Sequence, residues 1–268
     1  MTDVMDRARE AQDSDAVDWL ARLGLFSRGV MWLTVGLLAV SVALGNNTKA
    51  DKNGALKAIA DKPFGEVLLV VLAIGFLGYA AWRLLEGATG HRDEREEPKR
   101  WAKRIASLFR GGIYLFLAGS TVKFLFSQSG SDKTKPLTAR VMSHTGGRTL
   151  VFCIGAGIVI GGLAMAYRGA RQKFEKLIEG WKIPDGLRAV TKVVGTVGLI
   201  GRGLVFVLIG GFLVDAAWRF DPDKAKGLDA SLKTLAGQPF GRALLFAAAV
   251  GLLAFSLWSF VEARYRKL

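Results

Sequence analysis

Three polar residues sit inside otherwise apolar sequence: Ser41, Lys123 and Asp215. Each lies thirteen positions after an arginine, namely Arg28, Arg110 and Arg202. A hydroxyl, an ammonium and a carboxylate at one register suit three kinds of chemistry. They can pair as a structural clasp, line an ion path as a gate or relay, or snorkel separately to water. A charge deep in lipid is costly unless it is paired or wet, so pairing of Lys123 with Asp215, with Ser41 nearby, is the sharpest expectation. The three arginines each precede a glycine, at Gly29, Gly111 and Gly203. They can line an inward-facing anion pocket, or anchor helix ends among phosphates, and anchoring is the favoured reading. Glu86 and Glu262 end the partner segments on the same side, so an Arg–Glu pair tying each hairpin is a structural role for both.

Little else offers chemistry. The single cysteine, Cys153, rules out an intrachain disulfide and a thiolate cluster. His91 and His144 lie in different loops without ligand spacing, so no metal is expected. Gly161-Gly162, Gly195-Thr196-Val197-Gly198 and Gly210-Gly211 lie within apolar runs and read as helix packing, since none follows a strand as a nucleotide loop does. There is no Ser/His/Asp set and no paired-carboxylate site. The expectation is a non-enzyme with no catalytic residue and no cofactor.

The elements that must position these residues are six apolar runs: Leu23–Leu44, Glu66–Leu85, Ile105–Phe126, Thr149–Tyr167, Val193–Trp218 and Arg242–Phe260. Each is near the ~20 residues that cross a bilayer core as a helix. They are continuously apolar, without the alternation of barrel strands. The 268 residues are 51% hydrophobic and 22% charged. Both figures fit one chain because the charges are segregated between runs. Interior glycines such as Gly36, Gly75, Gly119, Gly157 and Gly251 suit close helix approach in lipid. Trp19, Trp82, Trp101, Trp218 and Trp258 lie near run ends, as interfacial anchors do.

The runs form a repeat. Gly24-Leu25-Phe26-Ser27-Arg28-Gly29 returns as Ala106-Ser107-Leu108-Phe109-Arg110-Gly111 and as Gly198-Leu199-Ile200-Gly201-Arg202-Gly203. Arg28 precedes Gly65 by 37 positions and Arg110 precedes Gly147 by 37. Arg202 precedes Gly241 by 39, which places an insertion near Asp221-Pro222-Asp223. Gly65 and Gly75, Gly147 and Gly157, and Gly241 and Gly251 are each ten apart. Units one and three share Pro63-Phe64-Gly65 with Pro239-Phe240-Gly241, Trp82 with Trp258, and Glu86 with Glu262. Unit two has Thr145-Gly146-Gly147 in place of Pro-Phe-Gly and is the divergent copy. Short amphipathic segments, Gly54–Ala60 and Leu228–Ala236, read as small outer helices. Parallel repeats of this kind point to a pseudo-threefold bundle about the membrane normal.

This combination resembles the DUF1206 family, whose name denotes a domain of unknown function. It is carried by Arg28-Gly29 and Arg202-Gly203, by Gly54-Ala55-Leu56, and by the Pro-Phe-Gly motifs with the Gly, Trp and Glu that follow. The resemblance implies membrane proteins built from tandem two-helix units, with six spans, and it implies no activity.

The net charge is +14. With six apolar runs present, anionic lipid headgroups are the expected partner rather than nucleic acid. Of 37 Lys and Arg residues, 23 fall on the side of the termini and 14 on the other, which places both termini in the cytoplasm. The expected layout is a cytoplasmic tail at 1–18, repeat units at 19–90, 101–168 and 191–268, a charged linker at 91–100 and a basic segment at 169–190. In that basic segment Phe174, Leu177, Ile178 and Trp181 are spaced for one helix face among Arg171, Lys173, Lys176 and Lys182, as in a helix lying on the inner headgroup layer, with an ordinary helix packed on the bundle as the alternative. The leading functional expectation is a non-enzymatic structural or accessory protein of the plasma membrane, with a membrane-protein partner. A small-solute or ion transporter using Ser41, Lys123 and Asp215 is the alternative, and a membrane enzyme ranks last.

Overall fold

The computed structural model describes residues 15–46, 48–89, 97–127, 146–219, 228–237 and 239–266. Their regular structure is helical. The helices are α1 (Asp15–Ala43), α2 (Lys52–Ala60), α3 (Gly65–Thr89), α4 (Glu97–Ser127), α5 (Gly147–Ala170), α6 (Asp185–Arg219), α7 (Leu228–Ala236) and α8 (Gly241–Tyr265). Six of them, α1, α3, α4, α5, α6 and α8, are long and apolar enough to cross a membrane. These are the six runs expected, two per repeat. Helix α6 starts eight residues before its apolar run and, at 35 residues, is about 52 Å long. Of the tail expected at 1–18, residues 15–18 belong to α1, and residues 1–14, most of the charged linker, both histidines and the insertion at 221–223 lie outside the described residues.

The chain divides into two compact bodies. One holds the described residues of 1–30, 59–128 and 259–268, the other those of 31–58 and 129–258. In the first, α1 packs on α3 through glycine. A Cβ on Gly24 would stand 2.3 Å from Tyr79 Cβ and 2.6 Å from the Gly75 carbonyl. Helices α3 and α4 lock through Gly87 against Leu108 and Gly111 against Leu84. In the second, α5 and α6 meet where Gly162 faces Gly203 and Gly155 faces Gly210. Helices α6 and α8 touch where Gly201 meets Gly251, with a Cβ on Gly201 placed 2.5 Å from the Gly251 Cα. Close backbone approach of this kind replaces the hydrophobic driving force that lipid removes.

The short helices are present as expected, and each buries one face. Asp51 starts α2 by accepting the Gly54 amide through Oδ1 at 2.8 Å, as an N-cap does. Asp229 on α7 accepts the Ala50 amide at 2.9 Å. Ala50 and Leu232 join Ala39, Val42, Ala43, Leu245 and Ala249 in one apolar cluster.

The Pro-Phe-Gly motif has a backbone role beyond helix initiation by proline. Phe64 and Phe240 both adopt positive φ, 60° and 58°. Each carbonyl accepts the first helical bond, from Leu68 and Leu244. Each glycine after it is forced: a Cβ on Gly65 would stand 2.3 Å from the Ile59 carbonyl and one on Gly241 1.8 Å from that of Leu235. In the divergent unit the equivalent position is Gly146, with φ 82°. The three repeats thus share one left-handed start to their second long helix, and unit two occupies it with the residue that adopts it without steric cost.

Two expectations are corrected. Trp82 and Trp258 are not interfacial anchors, being only 5% and 1% exposed. Trp82 lies beneath two guanidinium groups, and Trp258 packs edge-on against Phe174 at 4.6 Å. The other three, Trp19, Trp101 and Trp218, are exposed. The basic segment is not one amphipathic helix. It folds as two short 3-10 turns, Lys173–Leu177 and Gly180–Lys182. Positive φ at Gln172 and an extended Ile178 interrupt any longer helix. Phe174 and Ile178 are consequently buried, while Leu177 and Trp181 face outward.

Candidate functional site

An assembly of buried charged side chains lies in the first body, where α1, α3, α4 and α8 meet. Gly29 opens the place for it, because the Phe260 ring lies where a Cβ would be. The neighbouring Arg28 reaches α8, with Nε donating to Ser259 Oγ at 3.1 Å and Nη2 donating to Glu262 Oε2 at 2.5 Å. The other carboxylate oxygen of Glu262 accepts from Arg266, one turn further along. One buried carboxylate therefore holds two buried guanidiniums. Arg22 closes the end of α8 by donating to the carbonyls of Ala263, Arg264 and Arg266, which supplies cation donors to a helix C-terminus.

Helix α3 contributes a parallel set. Arg83 is buried and donates to the Tyr79 hydroxyl through Nε and Nη2, at 3.0 and 2.9 Å. Its Nη1 donates to Glu86 at 2.5 Å, and Ser107 of α4 donates to the same oxygen at 2.8 Å. The Trp82 ring lies 4.2 Å from the Arg83 guanidinium carbon and 5.0 Å from that of Arg266. Arg28, Arg83 and Arg266 face two carboxylates, Glu86 and Glu262. The indole face between two guanidiniums stabilises the excess positive charge through its quadrupole.

An Arg–Glu pair was expected to tie each hairpin, whereas Arg28 of the first repeat reaches the glutamate of the third. Arg28 takes Glu262, and Glu86 takes Arg83 and Ser107. Three further participants, Arg83, Tyr79 and Arg266, escaped sequence reasoning. Their signal was local spacing, since Arg83 precedes Glu86 by three and Arg266 follows Glu262 by four, which places each on the same helix face.

The other arginines of the repeat have different surroundings. Arg110 is partly buried on α4 in the first body. Arg202, in the second body, lies among the rings of Trp32, Phe206 and Phe255, at 4.7, 4.9 and 4.2 Å. One register position thus carries a carboxylate contact in one repeat and an aromatic cage in another. Of the polar layer, Lys123 is exposed on α4 in the first body. Ser41 and Asp215 belong to the second. Ser41 Oγ accepts from Asn46 at 3.1 Å, and Asp215 accepts from Arg219 at 2.7 Å, one turn on. Among the described residues no three His, Cys, Asp or Glu side chains gather as a metal site. Chemically the Arg28–Glu262–Arg266 assembly is a closed clasp, because its donors and acceptors point at one another.

A family model described as Domain of Unknown Function (DUF1206) matches the chain three times, at residues 23–90, 105–172 and 197–266. The chain is similar to "Uncharacterized protein YxxB" of Bacillus subtilis (strain 168), with 29% identity over 269 residues, covering 99% of this chain and 98% of that protein. No solved structure matches. The three matches coincide with the three helix pairs, and each contains one arginine of the repeat.

Proposed function

Because the chain belongs to the DUF1206 family of domains of unknown function, which brings no activity with it, we propose a role from its geometry: a non-enzymatic, multi-pass plasma-membrane protein that organises a membrane-protein partner. The observation that carries this reading is the fate of its charges. The buried arginines and glutamates at the helix ends are spent on one another, as in Arg28 with Glu262 and Arg83 with Glu86. Ser41 and Asp215 are engaged by near neighbours, which favours a structural layer over a relay. By contrast, α4, α5 and α6 bury less than a third of their most apolar stretches. That leaves apolar helix surface for lipid and for a partner's helices. The excess of Lys and Arg beside the termini supports a cytoplasmic location for both ends.

A photo-crosslinking residue at Ile160 or Leu163, both exposed on α5, tests the reading. A stoichiometric adduct with one membrane protein is the expected result. Ion or solute flux in proteoliposomes of the purified chain, abolished by Lys123→Ala and by Asp215→Ala, would overturn it in favour of transport.

A further inference from the structure

A cavity of about 350 Å³ lies in the second body, between the two 3-10 turns and the first turns of α6. Its walls are mostly apolar, with Ile178 and Trp181 among them. Its polar groups are of two kinds. Arg188 and Lys192, one turn apart on α6, bring positive charge, and Thr191 between them brings a hydroxyl. Glu175, from the first 3-10 turn, brings a carboxylate. Its Oε1 is 3.3 Å from Lys192 Nζ, near enough to attract. The alignment is not that of a hydrogen bond, however, and Oε1 is a buried acceptor without a donor. A ligand N–H or O–H reaching Oε1 would supply the hydrogen bond it lacks. Arg188 is held by its own neighbours, with Nε on the Ile183 carbonyl at 3.2 Å and Nη1 on the exposed Asp185 at 2.9 Å. An ion pair with so exposed a carboxylate is weak and leaves the guanidinium able to serve an anion.

The surroundings place this cavity at a polar–apolar boundary. Residues 168–192 carry seven Lys and Arg against three Asp and Glu. Trp181 is 73% exposed beside the cavity, with Lys182 Nζ 5.0 Å from its ring. Tyr167, at the end of α5, is exposed beneath Arg171 and Lys173. Aromatic rings capped by cations at the end of apolar helices are the composition of a membrane interface. On α6 itself Leu187, Val190, Val193 and Val197 form an exposed apolar stripe at helical spacing. The helix is therefore dressed for lipid at the same level as the cavity.

We propose that this cavity binds the headgroup of a glycerophospholipid whose phosphate is followed by a hydrogen-bond-donating group, an ethanolamine ammonium or a glycerol hydroxyl. Arg188 and Lys192 take the phosphate, Glu175 Oε1 takes the donor, and Ile178 and Trp181 face the apolar glycerol ester region. A choline headgroup offers the phosphate and no donor, so it satisfies only half of the site. The assignment rests on the reading that the long helices span a membrane.

The test is native mass spectrometry of the full chain purified in detergent and offered equal amounts of phosphatidylethanolamine, phosphatidylglycerol and phosphatidylcholine of the same acyl composition. The wild-type chain is expected to retain the two donor lipids about tenfold over phosphatidylcholine, the worth of one charge-assisted hydrogen bond. Glu175→Ala is expected to abolish that preference while keeping lipid bound. Arg188→Gln with Lys192→Gln is expected to lower retention of all three about tenfold or more. Equal retention of the three lipids by the wild-type chain overturns the proposal, and this measurement needs no variant to fold. Displacement of bound lipid by excess inorganic phosphate would assign the site to a soluble anion instead. Extraction of native membranes at alkaline pH separates the two readings. Release of the chain into the soluble fraction would sink the membrane-spanning premise, whereas a retained chain without headgroup preference would sink only the cavity assignment.

Discussion

Glu262→Ala is the substitution that the clasp makes most informative. It removes the one carboxylate that Arg28 and Arg266 share, and it leaves both guanidiniums buried side by side. The Ser259 hydroxyl, still within reach of Arg28 Nε, cannot neutralise either charge. Breaking a buried ion pair by deleting one partner costs about 3–5 kcal/mol. Taking about 4 kcal/mol, and a chain of this size, the apparent Tm falls by about 10 °C. The assay is thermal unfolding of the detergent-solubilised chain, followed by near-ultraviolet circular dichroism and by monodispersity on gel filtration. Glu262→Gln is expected to fall between wild type and Glu262→Ala, because it keeps an acceptor and loses the charge. The combined replacement Arg28→Met, Glu262→Leu and Arg266→Met should recover most of the lost stability, since removing all the charges together leaves none stranded. A Tm within about 3 °C of wild type for Glu262→Ala would refute the reasoning, since a loss that small equals about 1 kcal/mol. A combined variant no more stable than the single one would refute it equally.

Three further outcomes follow from particular contacts. Gly251→Val places a branched side chain where the Gly201 backbone already touches, so it is expected to lower stability by at least about 1–3 kcal/mol in the same unfolding assay. Phe64→Gly and Phe240→Gly are each expected to raise stability in detergent by about 1 kcal/mol, because both phenylalanines hold positive φ and are 84% and 88% exposed. Gly146→Phe should lower stability by a similar amount, which a temperature scan of the three variants beside wild type will show. Arg202→Leu removes the cation from among three rings and is expected to cost about 1–2 kcal/mol, with Arg202→Lys recovering part of it.

Much of the architecture was legible in the residues because lipid imposes a severe rule. A helix must satisfy its own backbone and show apolar side chains over about 20 positions, so six such runs announce six long helices. The repeat register was equally legible, since spacing between Arg28 and Gly65 or Arg110 and Gly147 is a property of the chain. The short helices could be read from their amphipathic spacing, and the match to one family over three segments fits the tandem units. At the candidate site, sequence singled out Arg28 by its repeat register and Glu262 as the residue that ends its partner segment.

Contacts between distant segments were decided only by the fold. Register says that Arg28 and Arg202 are equivalent, yet one meets a carboxylate and the other three aromatic rings. That difference comes from which helix packs opposite, and linear spacing carries no record of it. Arg28 found the glutamate of the third repeat rather than of its own, 234 positions away, because α1 docks on α8 where Gly29 admits the Phe260 ring. Trp82 lies near a span end, where an anchor belongs, but two guanidiniums cover it. The basic segment had the spacing of an amphipathic helix, and its backbone broke into turns at Gln172 and Ile178, burying Phe174 against Trp258. Composition and period determine which elements form in lipid, since each helix is satisfied within itself. Side-chain partnership depends on the order in which those helices pack, and only the tertiary structure holds that information.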